Sequence, residues 1–234
     1  MKISKKKQLQ NRKRILKVAV DLIAKKGYKK TSMSKIAKEA NIGEATIYNY
    51  FPSKEHILYD YYYFLELETK KRLLEMEEFN EFSLKEQLQT LIETELEILT
   101  EDRDFILEVY EEIFFKLFNH PEWEKGEREL INMVSELIDI AVEAGEIDDF
   151  PFNSLTQHLF ADFHAGVIYY WIFDKSRNFE NTTVMLDKSL DIIYALLKSG
   201  VISKSIELFS FILKTHILSY IKPQKRFLKR EFGK

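Results

Sequence analysis

The segment from Thr31 to Glu55 reads TSMSKIAKEANIGEATIYNYFPSKE and predicts its local architecture more sharply than any other part of the chain. Apolar residues at helical spacing, among them Ile36 and Ala37, predict one helix that ends before the turn-forming sequence Asn-Ile-Gly. A second, short helix is predicted from there to Phe51, where the following proline ends it. Two helices joined by a short turn that contains glycine have the layout of a DNA-binding helix-turn-helix.

The second helix of this motif carries two different kinds of side chain. Ile47 and Phe51, four residues apart, are expected to face inward and hold the helix to its neighbours. The side chains expected to offer hydroxyl and amide groups outward are Thr46, Tyr48, Asn49 and Tyr50. A helix that enters a major groove about 12 Å wide needs this division between an anchoring side and a hydrogen-bonding side. Lys54 follows at the start of the next helix, where a cation can pair with a phosphate.

The charge of the chain is divided between a basic beginning and an acidic remainder. Residues 1–56 hold 15 basic and 4 acidic side chains, a net charge of +11, whereas the other 178 residues hold 20 basic and 34 acidic ones. Such a segment indicates an anionic partner, with nucleic acid the first candidate, a membrane surface the second and mere solubility the alternative. The basic residues from Lys2 to Arg14 form an arm that either contacts DNA or stays solvated.

The rest of the sequence keeps helical periodicity and contains few turn-forming residues. Seven glycines and four prolines in 234 residues argue against sheet-rich folds, which need many turns. The pattern predicts an all-α protein of about ten helices. It includes a capping box at Ser83 and Glu86 and an apolar helix at 104–119 that is expected to be buried. A last helix is predicted at 203–220.

Several classes of protein are disfavoured by the composition. The chain has no cysteine and hence no disulfide, and it has no apolar run typical of a transmembrane helix or a signal peptide. We therefore expect a cytoplasmic protein without a membrane partner. The spacing of His158, Asp162 and His164 does not predict a metal site, and no cofactor is expected. Neither a phosphate-binding loop nor a catalytic-triad signature indicates an enzyme.

This helix-turn-helix segment resembles the N-terminal signature of the TetR family of bacterial transcriptional repressors. The resemblance rests on the Ile-Ala pair at 36–37, the Thr-Ile-Tyr core at 46–48 and the Tyr-Phe-Pro-Ser-Lys ending at 50–54. It covers about residues 10–58, and the rest of the chain matches the family only in size and helical character. It implies a DNA-binding domain with its basic arm at 1–55, a helical ligand-binding and dimerisation domain at 56–221, and a basic tail at 222–234.

The resemblance also implies which side chains contact double-stranded DNA. The positions that match the family's contacts are Ser34, Glu44, Ala45, Thr46, Tyr48, Asn49, Tyr50 and Lys54. Thr46, Tyr48, Tyr50 and Lys54 would hold phosphates, and the other four would lie nearer to base edges. Glu44 either accepts a hydrogen bond from a cytosine or only favours the start of its helix. Family members are usually dimers, so a homodimer on a roughly palindromic operator is implied.

The helical domain at 56–221 is expected to bind a small-molecule effector of unknown identity. The candidate pocket residues, which ordinary core packing would also explain, are Phe114, Phe118, Phe160, Phe163, Tyr169, Tyr170 and Trp171. The abundance of aromatic side chains indicates an apolar or aromatic effector. The resemblance further implies a dimer interface on helices at 154–173 and 183–199, with a buried intrachain face as the alternative. Its candidate residues are Ala161, Ala165, Leu186, Leu190, Ile193, Tyr194 and Leu197.

The sequence therefore predicts a ligand-responsive, dimeric transcriptional regulator. In the favoured form it is a repressor that a small molecule releases from its operator by binding one conformation better than another. The alternative is a DNA-binding protein that has the same helix-turn-helix domain and no small-molecule ligand. Such a protein organises DNA or responds to a protein partner. An all-helical enzyme is the weakest hypothesis because no group of catalytic residues supports it.

Overall fold

The computed structural model describes residues 4–113, 121, 123–149 and 154–217. Within these ranges the chain contains helices and no β-strand, which confirms the predicted all-α class. The α-helices of the described residues are α1 (Lys5–Lys26), α2 (Met33–Glu39), α3 (Glu44–Ile47), α4 (Lys54–Leu74), α5 (Leu84–Glu101), α6 (Arg103–Glu112), α7 (Glu124–Glu143), α8 (Ser154–Phe173), α9 (Glu180–Lys198) and α10 (Val201–Ile212). None of them combines the length and the apolar character that crossing a membrane requires.

Helices α1 to α3 form a small N-terminal head, and its turns depend on two residues with left-handed backbone conformations. α1 ends at Gly27, whose φ of +84° is a conformation that side chains rarely adopt. The turn between α2 and α3 takes its left-handed residue from Asn41, with φ of +51°, whereas Gly43 is the N-cap of α3. The turn predicted at 41–43 is therefore confirmed, and asparagine supplies its left-handed conformation.

The head has its own apolar core. Ile15 and Ile23 of α1, Ile36 of α2 and Ile47 of α3 are completely buried, and so is Phe51 after α3. Burial of one such side chain stabilises the fold by roughly 1.5–3 kcal/mol. A helix of four residues has little stability of its own, so this packing is what holds α3 in place.

The larger body is arranged around α4 and α5. α4 packs along α5 and α7, α5 also contacts α9, and α8 lies against α7 and α9. The capping box predicted at the start of α5 is confirmed. The Ser83 hydroxyl accepts the backbone N–H of Glu86, and the Glu86 carboxylate accepts the backbone N–H of Ser83 at 2.8 Å. α10 packs against α9 at the end of the described chain.

α6 differs from the apolar helix that the sequence predicts at 104–119. Its buried side chains are Phe105, Ile106 and Val109, and Leu107 is 42% exposed. The reason is that α6 has one side on the core of the body and the other on a cleft beside α1. The prediction of burial all round is therefore wrong for α6, and residues 114–119 lie outside the described ones.

The corner between α8 and α9 is held by one buried carboxylate. Asp174 accepts hydrogen bonds from the backbone N–H groups of Ser176 and Thr182 at 2.8 and 2.9 Å, and from the Thr182 hydroxyl at 2.7 Å. Burial acts to raise the pKa of Asp174, but the donors outweigh it and lower the pKa to about 2. The carboxylate is therefore ionised at neutral pH and fixes the start of α9.

Candidate nucleic-acid interface and ligand cavity

The recognition segment, residues 44–49, presents one polar side to solvent. The exposed positions that match the predicted DNA contacts are Ser34, Glu44, Ala45, Thr46, Tyr48 and Asn49. Ile47 and Phe51 are completely buried, which confirms their predicted inward direction. Tyr48 is 49% exposed although it is a large aromatic residue. Thr46 on α3 and Tyr48 and Asn49 in the turn after it place hydroxyl and amide groups on a firmly anchored segment, as reading a major groove requires.

Two of the predicted DNA-contact residues are also engaged within the protein. The Tyr50 hydroxyl accepts the side-chain amide of Asn11 at 2.9 Å, so Tyr50 is turned toward α1 and not outward like its neighbours. The Lys54 ammonium donates to the backbone carbonyl of Tyr28 at 2.7 Å and lies 4.0 Å from the centre of the Tyr28 ring. Desolvation lowers the pKa of Lys54. Both groups keep further donor hydrogens, so their contact with phosphates stays a prediction.

An ion pair fixes the head to the body. Arg12 of α1 binds both carboxylate oxygens of Asp60 of α4, which is buried. The Arg12 guanidinium also lies 4.7 Å from the centre of the Phe51 ring. Its planar group is thus used inside the protein, where it can bind a carboxylate and stack on an aromatic ring at once. Because Phe51 closely follows the recognition segment, this arrangement connects that segment to α4.

α6 provides a second connection between head and body. On one side, Ile106 and Tyr110 line a cavity in the body. The other side faces a cleft whose charged lining residues are Lys25, Lys26, Lys29 and Lys30 of the head and Glu108, Glu111 and Glu112 of the body. Opposite charges across this cleft attract the end of α1 toward α6. A displacement of α6 by a ligand in the cavity would therefore reach the head directly.

The central cavity, as we call this space, has a volume of about 60 Å³ and lies among α4, α5, α6, α7 and α8. Its apolar lining includes Leu58, Tyr62 and Leu65 of α4 and Ile168 and Ile172 of α8. Tyr62 stacks on the ring of Trp123 with centres 4.4 Å apart. A space of this size holds a few water molecules. A larger ligand can enter only if the surrounding helices move apart.

The predicted pocket residues lie away from the central cavity wherever the structure describes them. Phe114 and Phe118 lie outside the described residues. Trp171 is buried, and the guanidinium of Arg103 lies 4.5 Å from its ring. Phe160 and Phe163 line a separate apolar groove of about 410 Å³ among α5, α7, α8, α9 and α10. Tyr169 and Tyr170 are more than 40% exposed on the outer side of α8.

The predicted dimer-interface residues are covered by their own chain. Ala161, Leu186, Leu190 and Leu197 are buried, and Ala165, Ile193 and Tyr194 are partly buried. This burial is the alternative that the sequence leaves open. The opposite side of the same helices is apolar and exposed, with Leu159, Tyr169, Tyr170 and Phe173 on α8 and Val184, Ile192 and Leu196 on α9. Several exposed apolar side chains on neighbouring helices are typical of an interaction site.

Sequence reasoning missed both the contribution of α4 to the cavity and the outer surface of α8 and α9. Leu58, Tyr61, Tyr62 and Leu65 stand at helical spacing, a pattern that equally fits ordinary core packing. The outer surface was missed because α8 and α9 carry apolar residues on more than one side. Periodicity then does not reveal which side packs against the own chain.

Two family models match the chain, one in its N-terminal part and one in its C-terminal part. The model for bacterial regulatory proteins of the tetR family matches residues 15–60, and the model for a tetracyclin repressor-like C-terminal domain matches residues 87–212. The fold and the exposed helix-turn-helix thus define a class, the bacterial regulatory proteins with a helical C-terminal domain. Because the second match alone covers more than half of the chain, the protein belongs to the TetR family.

Curated relatives match over a short part of the chain. The fatty acid metabolism regulator protein of Bacillus subtilis is 50% identical over 44 residues, which are 19% of this chain and 23% of that protein. Alignments with three such relatives cover between 19% and 26% of their length. The activities and ligands of whole relatives are therefore not shown for this chain by sequence.

Solved structures match along most of the chain. A TetR-family transcriptional regulator from Syntrophomonas wolfei has a TM-score of 0.63 and 22% identity, covering 80% of this chain and 95% of that one. At this identity the likeness shows the fold alone. The transcriptional regulator FadR from Bacillus subtilis, solved in complex with stearoyl-CoA, has a TM-score of 0.56 and 26% identity, covering 80% and 97%.

Proposed function

We propose that this protein is a dimeric transcriptional repressor that leaves its operator when a small molecule with a long apolar part binds in the body. The observation that carries the proposal is the position of α4. Its first residues follow the recognition segment, and its middle lines the central cavity. One helix thereby links a DNA-reading surface to a ligand space, which is the physical requirement for coupling two sites.

DNA binding is assigned to the head on the basis of exposure and charge. Thr46, Tyr48 and Asn49 are free to approach DNA, while Tyr50 and Lys54 contribute their remaining donors to phosphates. The net charge of +11 in residues 1–56 attracts the duplex, so affinity is expected to fall steeply with salt. Direct contacts of Ser34, Glu44, Ala45 and Asn49 with base edges are part of the same proposal.

A dimer is assigned to the exposed apolar side of α8 and α9. Val184, Ile192 and Leu196 follow one another at intervals of four or eight residues and so form one stripe along α9. Leu159 and Phe173 extend a similar stripe along α8. Pairing of these surfaces through a two-fold axis would bury them in both protomers. The two heads would then face two half-sites about one helical turn of DNA apart, roughly 34 Å.

The effector is assigned to the chemical class of long-chain acyl thioesters. Two findings support this class: the apolar lining of the central cavity, and the likeness to a regulator that was solved with stearoyl-CoA. The cavity of about 60 Å³ is too small for such a chain, so binding requires α4, α6 or α8 to move. α4 and α6 both contact α1 of the head, and their displacement would change the distance between the two heads.

The test starts from selection of bound fragments out of genomic DNA, which should return a short palindrome. Adding stearoyl-CoA should then release the protein from that operator, while coenzyme A alone should not. Ala165→Phe, which places a ring in the central cavity, should abolish the release and keep operator binding. Ile202→Phe in the separate groove is the matched control and should keep both properties. Equal affinity for random duplexes would contradict the DNA assignment, and release by neither compound would contradict the effector class.

A further inference from the structure

Three ionisable side chains meet in the core of the body. Glu66 of α4 and Glu95 of α5 are completely buried, and His164 of α8 is 3% exposed. One oxygen or nitrogen atom from each residue lies within 4.8 Å of those from the other two. The His164 Nε2 atom is 2.5 Å from a carboxylate oxygen of Glu95. Three different helices therefore direct potential metal ligands to one point.

The carboxylates of this cluster lack the partners that buried negative charge requires. Neither oxygen of Glu66 has a hydrogen-bond partner of normal geometry, and the second oxygen of Glu95 has none either. Within the described residues, no lysine or arginine forms an ion pair with Glu66 or Glu95. Desolvation and the charge of Glu95 raise the pKa of Glu66 well above its ordinary value, although the nearby Tyr62 hydroxyl acts in the opposite direction. A cation at this point would favour the ionised form of these buried carboxylates.

We propose that Glu66, Glu95 and His164 bind one divalent transition-metal cation such as Zn²⁺ or Co²⁺. Carboxylate oxygen and imidazole nitrogen are ligands that these cations prefer, at distances of about 2.0–2.2 Å. Ligand atoms of one tetrahedral ion then lie about 3–3.5 Å apart. A set that already spans less than 4.8 Å reaches this spacing by small side-chain rotations.

Two further features of the structure suit a cation at this point. His164 lines the central cavity, which offers space for the water that completes the coordination. The cluster also joins α4, α5 and α8, so a bound ion ties the helix that follows the head to two helices of the body. The assignment of this site does not depend on the identity of the effector, because the three ligands come from the chain itself. It differs from the pair His158 and Asp162, which lies within one helix.

The experiment uses the full-length protein after removal of metal with a chelator. Titration with Co²⁺ should give visible absorption bands that saturate at one ion per chain, and Zn²⁺ should displace them. Zn²⁺ should also raise the thermal unfolding midpoint, because an ion that binds only the folded state stabilises it. Glu66→Gln and His164→Gln should each weaken Co²⁺ binding by at least about 100-fold, the upper range seen for loss of even an indirect metal partner.

Matched control variants distinguish metal binding at this site from metal binding at the surface and from loss of folding. Glu97→Gln, on the exposed side of α5, and His158→Gln, whose side chain is 70% exposed, should bind Co²⁺ like the unmodified protein. Metal-free Glu66→Gln should unfold at no lower temperature than the metal-free parent, because a neutral amide replaces a carboxyl group whose charged form is disfavoured by burial. Absence of saturable Co²⁺ bands in the parent protein would overturn the proposal. So would bands that Glu66→Gln and His164→Gln leave unchanged.

Discussion

The head and the body differ in how completely their buried polar side chains are hydrogen-bonded. In the head, the charged groups are either exposed or paired, as Arg12 is with Asp60. In the body, Glu66, Thr69 and Glu95 keep side-chain oxygens that are buried without a hydrogen-bond partner. A core with satisfied groups holds a single shape, whereas a core with unsatisfied groups gains stability from a bound ion or a rearrangement. The comparison indicates a DNA-binding head with one packed arrangement, attached to a body whose core can change when it binds an ion or a ligand.

The largest effect is expected from breaking the contact between two bodies. Ile192→Glu places a charge on the exposed apolar stripe of α9, so it should convert the dimer to monomers. Operator affinity should fall by about 100-fold or more, because two linked heads bind far better than one. Sedimentation and operator titration measure the two effects. Leu74→Glu, which is also strongly exposed but lies at the end of α4, should change neither. A monomeric parent protein would contradict the interface.

The next effect concerns the connection between head and body. Arg12→Met should lower the free energy of unfolding by about 2–3 kcal/mol, because it leaves the buried Asp60 carboxylate without its partner. The double variant Arg12→Met with Asp60→Asn removes that charge and should regain much of the loss. Chemical denaturation of the three proteins measures this. If Arg12→Met lowers the free energy of unfolding by less than about 0.5 kcal/mol, the ion pair is not what fixes α1 to α4.

The difference between the head and the body also explains how much of each structure the sequence alone predicts. The head was predictable because its decisive residues are neighbours: Asn41 in the turn, Ile47 and Phe51 one helical turn apart. A short helix that buries one side must expose the other, so the buried positions of Ile47 and Phe51 also indicate which neighbouring residues are exposed. The body was predictable in class and in local detail, such as the capping box at Ser83, since helix signals are local.

The proposed metal ligands and the cavity of the body were not predictable in this way. Glu66, Glu95 and His164 lie on three helices separated by tens of residues, and only the packing of α4, α5 and α8 brings them together. Glu95 stands at helical spacing from Leu91, Ile92 and Leu99, which places it on the apolar side of α5 and apart from exposed Glu97, but this pattern does not reveal its partners. The cavity likewise depends on small gaps between helices, which periodicity does not report.

Within the head, the comparison predicts that exposed residues affect DNA and not folding. Tyr48→Ala should weaken operator binding by about 1–3 kcal/mol while leaving the thermal unfolding midpoint nearly unchanged. Tyr50→Phe is the informative counterpart, because it removes the hydroxyl that accepts from Asn11. It should lower the stability slightly as well. Equal losses of folding and of binding in Tyr48→Ala would make Tyr48 a structural residue in spite of its exposure.

The smallest effect tests Asp174, a buried carboxylate of the body whose partners are complete. Asp174→Asn should cost about 1–2 kcal/mol at neutral pH, because an amide replaces the charged acceptor of the Ser176 and Thr182 hydrogen bonds. The folded pKa of about 2 lies below the ordinary value of 3.8. The contribution of Asp174 is therefore fully present above about pH 4 and is lost as the pH falls through about 2.

Denaturation curves of the parent protein and of Asp174→Asn, recorded from pH 7 down to the acid limit of folding, measure this difference. The gap between the two free energies should stay constant above about pH 4 and narrow below it. A gap that widens on acidification would mean that Asp174 is protonated in the fold and would reverse the assignment. Glu66 should behave in the opposite sense, because burial and the charge of Glu95 raise its pKa: protonation of that group stabilises the metal-free fold, and this gain is complete before the pH falls to the range in which the contribution of Asp174 is lost. Acidification therefore changes the contributions of Asp174 and Glu66 to the free energy of unfolding in opposite directions.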